Sequence, residues 1–230
     1  MEKKYETKKE GNMLRIIALK DFSDVKKGEE GGLIEEAERN LSQEGNCWVY
    51  RDAKVSDCAR VWGDAKVKGN AEIKGWAQVY GKAVVCDNAR VSKNTKVYEN
   101  ARVGGNAKIY GRRVWVCGNA QVYGQAEIWG GSVEVYGDAE IYENAKITGN
   151  ITICGQSKIC GRVKICSFAQ LLNLSGYYIK DYSDYIYLLI KRKLCILFNV
   201  TAYRSSTVST PGQNYIENIQ TIRQLYGKEI

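Results

Sequence analysis

The stretch "AKVSDCARVWGDAKVKGNAEIKGWAQVYGKA", residues 53–83, is close to one six-residue phrase written five times. An alanine is followed two places later by Val or Ile, and a Gly-, Asn- or Asp-containing pair leads into the next alanine. The phrase extends in both directions. Its aliphatic position falls at Val49, Val55, Val61, Val67, Ile73, Val79, Val85, Val91, Val97, Val103 and Ile109. After a slip of one residue it resumes at Val116, Val122 and Ile128, and after a second slip it runs from Val135 through Ile141, Ile147, Ile153, Ile159 and Ile165 to Leu171. Alternation with period two marks a strand, and β-branched residues suit a pleated surface. The small polar pairs supply the backbone freedom for a sharp corner. Six residues are too few for a strand, a reversal and a return. They suit a short strand plus a corner that carries the chain part of the way round an axis.

The V-x-G-N-A-x pattern resembles the hexapeptide repeat of left-handed parallel β-helices, in which three hexads make one triangular coil. The resemblance covers residues 47 to about 172. It implies about seven coils stacked roughly 4.8 Å apart, with Val/Ile and Ala pointing inward. The leader "LRIIALKDFSDVKKGEEGGLIEEAERNLSQEGNCWVY", residues 14–50, resembles one that precedes such repeats in bacterial and bacteriophage hexapeptide-repeat proteins. These likenesses imply a mainly β chain in three parts. Residues 1–46 form an N-terminal cap, 47–173 the β-helix, and 174–230 a small α/β cap. In that last part "TPGQNYIENIQTIRQLYGKEI" reads as a helix, with Thr210 as N-cap, Pro211 at its first position and Gly227 near its end.

Composition narrows the function classes. The most apolar stretch, "YIYLLIKRKLCILFNV", is interrupted by Lys191, Arg192 and Lys193, so no membrane span is expected. The charged start "MEKKYETKKEGN" lacks the apolar core of a secretory signal, so the expected location is the cytoplasm. Eight cysteines occur without a CxxC pair, and Cys154, Cys160 and Cys166 follow the repeat, not the spacing of a metal knuckle. Reduced structural thiols and no metal or other cofactor are expected. The formal net charge is +8, and residues 47–113 alone hold fourteen Lys/Arg against six Asp/Glu.

Three hexads per coil place residues 18 apart on one face, or 19 across a slip. One outward column then reads Trp62, Tyr80, Tyr98, Cys117, Tyr136, an aromatic ladder. Such rings can simply stabilise strands, or mark an interface with a second copy or the C-terminal segment. A second column starts Lys54, Glu72, Arg90, Lys108, beside Lys74. Together Lys54, Lys74, Arg90 and Lys108 form a basic strip, either solvated with Glu72 and Glu127 as partners or built to contact an anion. Arg112 and Arg113 sit at the first slip, where an extra residue must bulge from a corner and offer guanidiniums to phosphate or carboxylate.

The family resemblance also brings acyltransferases and zinc-dependent carbonic anhydrases into view, whose chemistry uses histidine. This chain has none, and the long loop that such enzymes insert between coils is missing. The expectation is therefore a non-enzymatic binding protein. The leader's phage-like wording points to a counter-defence inhibitor of the anti-CRISPR kind, one that occludes a host nuclease, protein or ribonucleoprotein. The alternative is a structural protein that self-associates through its aromatic face. Direct nucleic-acid binding is less favoured, because few aromatics are interleaved with the basic strip.

Overall fold

The computed structural model describes residues 2–165 with their side chains, together with the backbone of Cys166 and of the short strands Ala169–Leu171, Tyr177–Asp181, Tyr187–Leu188, Cys195–Ile196 and Thr201–Arg204. The helix expected on residues 210–227 lies outside the described residues.

The hexads form a parallel β-solenoid of about seven turns. Each turn contributes one strand to each of three ladders. The first ladder runs Lys54–Val55, Glu72–Ile73, Arg90–Val91, Lys108–Ile109, Glu127–Ile128 and Lys146–Ile147 to Lys164–Ile165, every neighbouring pair parallel. The second ladder pairs Arg60–Val61, Gln78–Val79, Lys96–Val97, Trp115–Val116, Glu134–Val135 and Thr152–Ile153. The third starts at Trp48–Val49 and continues through Lys66, Val84, Arg102, Gln121, Glu140 and Lys158.

Register explains the core. Every repeat aliphatic from Val49 to Ile165 is at most 1 % exposed, and the small position two residues before it is buried throughout. Identical shapes at the same height of successive turns interdigitate, so apolar area leaves water without a tailored jigsaw. Two of the small positions are hydroxyls. Thr95 Oγ1 donates to Ser92 O at 2.8 Å and Ser157 Oγ to Cys154 O at 2.6 Å, which satisfies each inside the core. The second ladder departs from Ala at Val114, Val133 and Ile151, all buried. Val114 and Val133 directly follow the two slips, where a longer turn encloses more volume.

Both slips are local bulges at the corner between the first and second ladders. Lys93 pairs with Gly111 but Thr95 with Val114, so Arg112 and Arg113 stand opposite the single residue Asn94. Gly130 pairs with Gly149 but Ser132 with Asn150, which leaves Gly131 as the second extra residue. From Arg90 onward this corner is smoothed, and single strands Arg90–Val97, Lys108–Val116, Glu127–Val135 and Lys146–Ile153 run round it.

Elsewhere the corners turn through positive φ. Most of these positions are glycine. Where a carboxylate replaces it, as at Asp57, Asp87, Glu99 and Glu143 (φ 56–60°), the side chain accepts the amide of the next turn's glycine: Gly75 at 2.8 Å, Gly105 at 2.7 Å, Gly118 at 2.6 Å and Gly161 at 2.8 Å. A charge-assisted bond offsets the cost of the backbone conformation. Beside these corners, stacked amides link turns through Asn70, Asn88 and Asn106 at 3.1 Å each.

The N-terminal segment is woven into the solenoid. Strands β1 (Tyr5–Glu10) and β2 (Met13–Ala18) form a hairpin, and β3 (Glu30–Ile34) runs antiparallel to β2. On its other side β3 pairs in parallel with Lys54–Val55, so it is the first rung of the first ladder. The short helix α1 (Ala37–Asn40) then leads to Leu41, which bridges to Val61. Inside the cap the buried Trp48 ring meets Tyr5 and Phe22 edge-on, with centroids 6.3 and 5.4 Å away. The buried Lys4 Nζ donates to Cys47 O at 3.0 Å and lies 3.2 Å from Cys47 Sγ. Burial draws the Lys4 pKa down, opposed by Cys47. Asp24 accepts from Tyr50 Oη and Lys66 Nζ, both at 2.7 Å, tying the cap to the third ladder. Burial acts to raise the Asp24 pKa, yet these bonds hold it well below the usual carboxylate range.

Among the described residues no helix is long and apolar enough to cross a membrane. The stacked core makes a direct prediction. Ile128→Ala, at a fully buried mid-ladder position, leaves a void between two flanking isoleucine-sized rungs. It lowers unfolding free energy by about 2–5 kcal/mol, read as a shifted urea midpoint; an unchanged midpoint would contradict this packing.

Candidate binding surface at the first slip

The outward residues of the first ladder separate into two columns with different character. In the column before the aliphatics, cations meet carboxylates on adjacent rungs. Arg90 Nε is 3.6 Å from Glu72, and Lys108 Nζ and Lys146 Nζ are 3.4 and 3.5 Å from the two oxygens of Glu127. Arg90 and Lys108 thus belong to a surface charge ladder, of the kind worth about 1 kcal/mol or less per pair. Lys54 follows Leu33 of β3 in this column, exposed and without a carboxylate at ion-pair distance among the described residues.

The column after the aliphatics carries Ser56, Lys74, Ser92, Tyr110, Trp129 and Thr148, and it borders the bulged corner. There a groove of about 800 Å³ is lined by Lys74, Trp76, Ser92, Lys93, Asn94, Tyr110, Arg112 and Trp129, with Asp57 at one end. Tyr110 and Trp129 lie parallel, 6.2 Å apart at 10°. Lys93 Nζ stands 5.2 Å from the Tyr110 centroid. Just across the corner, Lys96 and Arg113 both approach the Trp115 ring, at 5.6 and 4.7 Å. Trp76 is 68 % exposed, and no ring of the described residues stacks on it.

Of the six basic residues expected to bind, the structure brings Lys74 and Arg112 into one groove and Arg113 onto the neighbouring ring. It assigns Arg90 and Lys108 to ion pairs and leaves Lys54 further along the face. The reading of the strands passed over Trp76 and Lys93, because both occupy corner positions where the repeat normally writes Gly and Asn. That departure from the repeat was itself the available signal. Lys93 holds φ +60°, a conformation that costs an L-residue roughly 1–2 kcal/mol, and as a cation it cannot make the amide-accepting bond of its carboxylate counterparts. The scarcity of aromatics near the basic strip, inferred from the strand columns, is corrected once the corner is included.

A second basic surface lies on the third ladder, where Lys66, Lys68, Lys82 and Arg102 line a smaller groove of about 610 Å³. Asp24 sits 2.7 Å from Lys66 and 3.7 Å from Lys68, so this patch is partly neutralised. At the corner the one lining carboxylate, Asp57, is already engaged by the Gly75 amide.

The aromatic ladder on the second face is formed as well. Trp62 and Tyr80 stack at 4.4 Å and 3°, and Tyr80 and Tyr98 at 5.0 Å and 6°. Cys117 continues the column as the Tyr98 hydroxyl's hydrogen-bond partner, which with burial raises the Tyr98 pKa. The hydrogen bond to Cys154 likewise raises that of Tyr136. Tyr136 is exposed, whereas Trp62, Tyr80, Tyr98 and Cys117 are partly buried. On the third face Tyr123 and Tyr142 stack at 5.0 Å; burial and the nearby Glu140 push the Tyr123 pKa up to about 12. Among the described residues no group of three or more Cys, Asp or Glu side chains is placed to hold a metal ion.

No protein-family model matches the chain. A stretch of 44 residues, 19 % of this chain, is 52 % identical to the uncharacterized acetyltransferase YdcK of Escherichia coli (strain K12). The match spans 13 % of that protein's length. It overturns the expectation that this chain is not an enzyme. A missing histidine was too narrow a ground for that exclusion, because a carboxylate, tyrosine, cysteine or ordered water can move the proton in acyl transfer.

Intrachain stacking gives the aromatic ladder a measurable role. Tyr80 has a ring on each side, so Tyr80→Ala removes two stacked contacts and costs about 1–3 kcal/mol, read as a lower thermal midpoint. Tyr136→Ala, at an exposed ring, shifts it by less than half as much. Equal effects would show that stacking is not what the ladder contributes.

Proposed function

We propose that the chain is a binding protein that captures an anionic partner at the bulged corner. The observation that carries this reading is the convergence of Lys74, Lys93 and Arg112 with Tyr110, Trp129 and the exposed Trp76 around one groove, where Asp57 is the one carboxylate set against three cations. A rigid scaffold presents these groups at a fixed spacing, so little ordering entropy is lost on binding. The positive field of residues 47–113 favours encounter with acidic surfaces. In its more specific form the partner is a host nuclease or nucleoprotein, and binding occludes it. The phage-like leader supports that form of the reading.

A second reading, acetyl transfer, is supported by the name of the relative. It predicts release of free thiol when the protein is incubated with acetyl-coenzyme A and a polar acceptor. Self-association through Trp62, Tyr80 and Tyr98 is the competing structural proposal. It predicts large species in solution that Tyr80→Lys/Tyr98→Lys disperses.

Binding of inorganic polyphosphate, measured by calorimetry at low and moderate salt, tests the anion reading. Lys74→Glu/Arg112→Glu weakens binding at least about tenfold, two charge reversals at roughly 1 kcal/mol or more each. Lys66→Glu/Lys82→Glu on the third face has a smaller effect. Equal losses from both pairs would mean that only general positive charge attracts the polyanion, and the corner reading would fall.

A further inference from the structure

The groove holds a side-chain gap next to the two-ring stack of Tyr110 and Trp129, the aromatic rungs of the column Ser56, Lys74, Ser92, Tyr110, Trp129 and Thr148. At the rung between Lys74 and Tyr110 the outward residue is Ser92, flanked at the corner by Lys93 and Asn94. Beyond it Tyr110 and Trp129 stand parallel. On the second face, where aromatic residues occupy successive rungs, the solenoid spacing alone brings rings to centroid distances of 4.4 and 5.0 Å. A planar ring resting on Ser92 would therefore meet the Tyr110 face on the Ser92 side once Lys93 moves aside, extending the Tyr110–Trp129 pair by one member. On its opposite side, Trp76 is 68 % exposed and in reach of the same ring.

Charge completes the description of the ligand. Lys93 covers that Tyr110 face through a cation–π contact, an interaction worth about 0.5–1 kcal/mol at an exposed site. Its side chain is exposed and can swing outward when a ring arrives. Lys93 and Arg112 then flank the ring as phosphate donors, with Arg112 held out by the bulge. A flat aromatic group joined to an anion is the shape and charge that this slot accepts.

We infer that the Ser92 slot binds a nucleotide unit, its base stacked on Tyr110 and its phosphate between Lys93 and Arg112. This deepens the anion-binding reading and rests on it. The unit comes either as a free nucleotide or as one link of a single strand, whose neighbouring phosphates would follow the cations along the corner. Base stacking on an aromatic platform tolerates any sequence, so affinity depends on single-strandedness and salt more than on base identity.

The test uses the full chain with three probes: AMP, a twelve-residue oligodeoxyadenylate, and inorganic polyphosphate of matched charge. Tyr110→Ala removes the platform, and Ser92→Trp fills the slot with a ring of the kind that Trp129 already places two rungs away. Circular dichroism and melting establish that each variant is folded. The expected result is that both variants bind the oligonucleotide at least about fivefold more weakly, the loss of one stacked base, while polyphosphate affinity is unchanged. AMP displacing the oligonucleotide assigns the slot to the free nucleotide as well. Oligonucleotide binding that AMP does not displace assigns it to the strand. Oligonucleotide and polyphosphate binding with equal affinity to the wild type, or either folded variant retaining full oligonucleotide affinity, overturns the nucleotide assignment and leaves the anion reading intact. Polyphosphate binding that ignores Lys74→Glu/Arg112→Glu removes both.

Discussion

Parallel pairing of each repeat strand from Trp48–Val49 to Lys146–Ile147 with the one 18 or 19 residues later is the constraint on which the rest depends. It sets Val above Val and Ala above Ala, so a single packing solution is repeated from Val49 to Ile165. It also commits each outward residue to a column. A side chain has as neighbours the same-column residues of the turns above and below, which turns sequence composition into ladders of rings, amides and charges. Stability in such an architecture is close to a sum of rung and interface contributions, so a local departure can be accommodated without loss of the whole.

The two departures lie at the same corner. Adding one residue there leaves the other two corners undisturbed, and the turns close again around Val114 and Val133. At the first departure the extra length is occupied by Arg112 and Arg113 and the adjacent turn by Lys93 in a costly positive-φ conformation. Strain and an excess of positive charge together, beside three aromatic rings, are what binding sites carry. The third face shows a partial contrast: Lys66 and Lys68 are met by Asp24, whose carboxylate fastens the cap, while Lys82 and Arg102 have no ion pair among the described residues. Charge there is partly taken up by architecture, whereas the corner groove sets three cations against Asp57 alone.

The solenoid was legible because period six with β-branched residues leaves few ways to bury one face, and both slips could be placed within a few residues. The aromatic column of Trp62, Tyr80 and Tyr98 followed from the same arithmetic. The role of the leader was less visible. Only Gly32-Leu33-Ile34 in "EGGLIE" echoes the small-x-aliphatic phrase, out of register with the hexads, and β3 becomes a rung because Ile34 meets Val55. The groove was only half legible. Lys74 and Arg112 were in view, but Trp76 and Lys93 sit at corners, where side-chain direction depends on a turn geometry that strand alternation does not describe. The basic strip was over-read in turn, since the same arithmetic that aligned Arg90 and Lys108 also aligned Glu72 and Glu127 beside them. Chemistry was least legible: the lack of histidine excluded less than it promised, as the acetyltransferase-named relative makes plain.

The account's central claim is that binding is concentrated at the bulged corner and not spread over the basic half of the solenoid. Lysine footprinting addresses it most directly: acetylate the protein with and without bound polyphosphate and compare modification residue by residue. The account predicts protection of Lys74 and Lys93, with Lys66, Lys68 and Lys82 modified equally in both states. Protection of Lys66, Lys68 and Lys82 with Lys74 and Lys93 unprotected would contradict it and move the site to the third face.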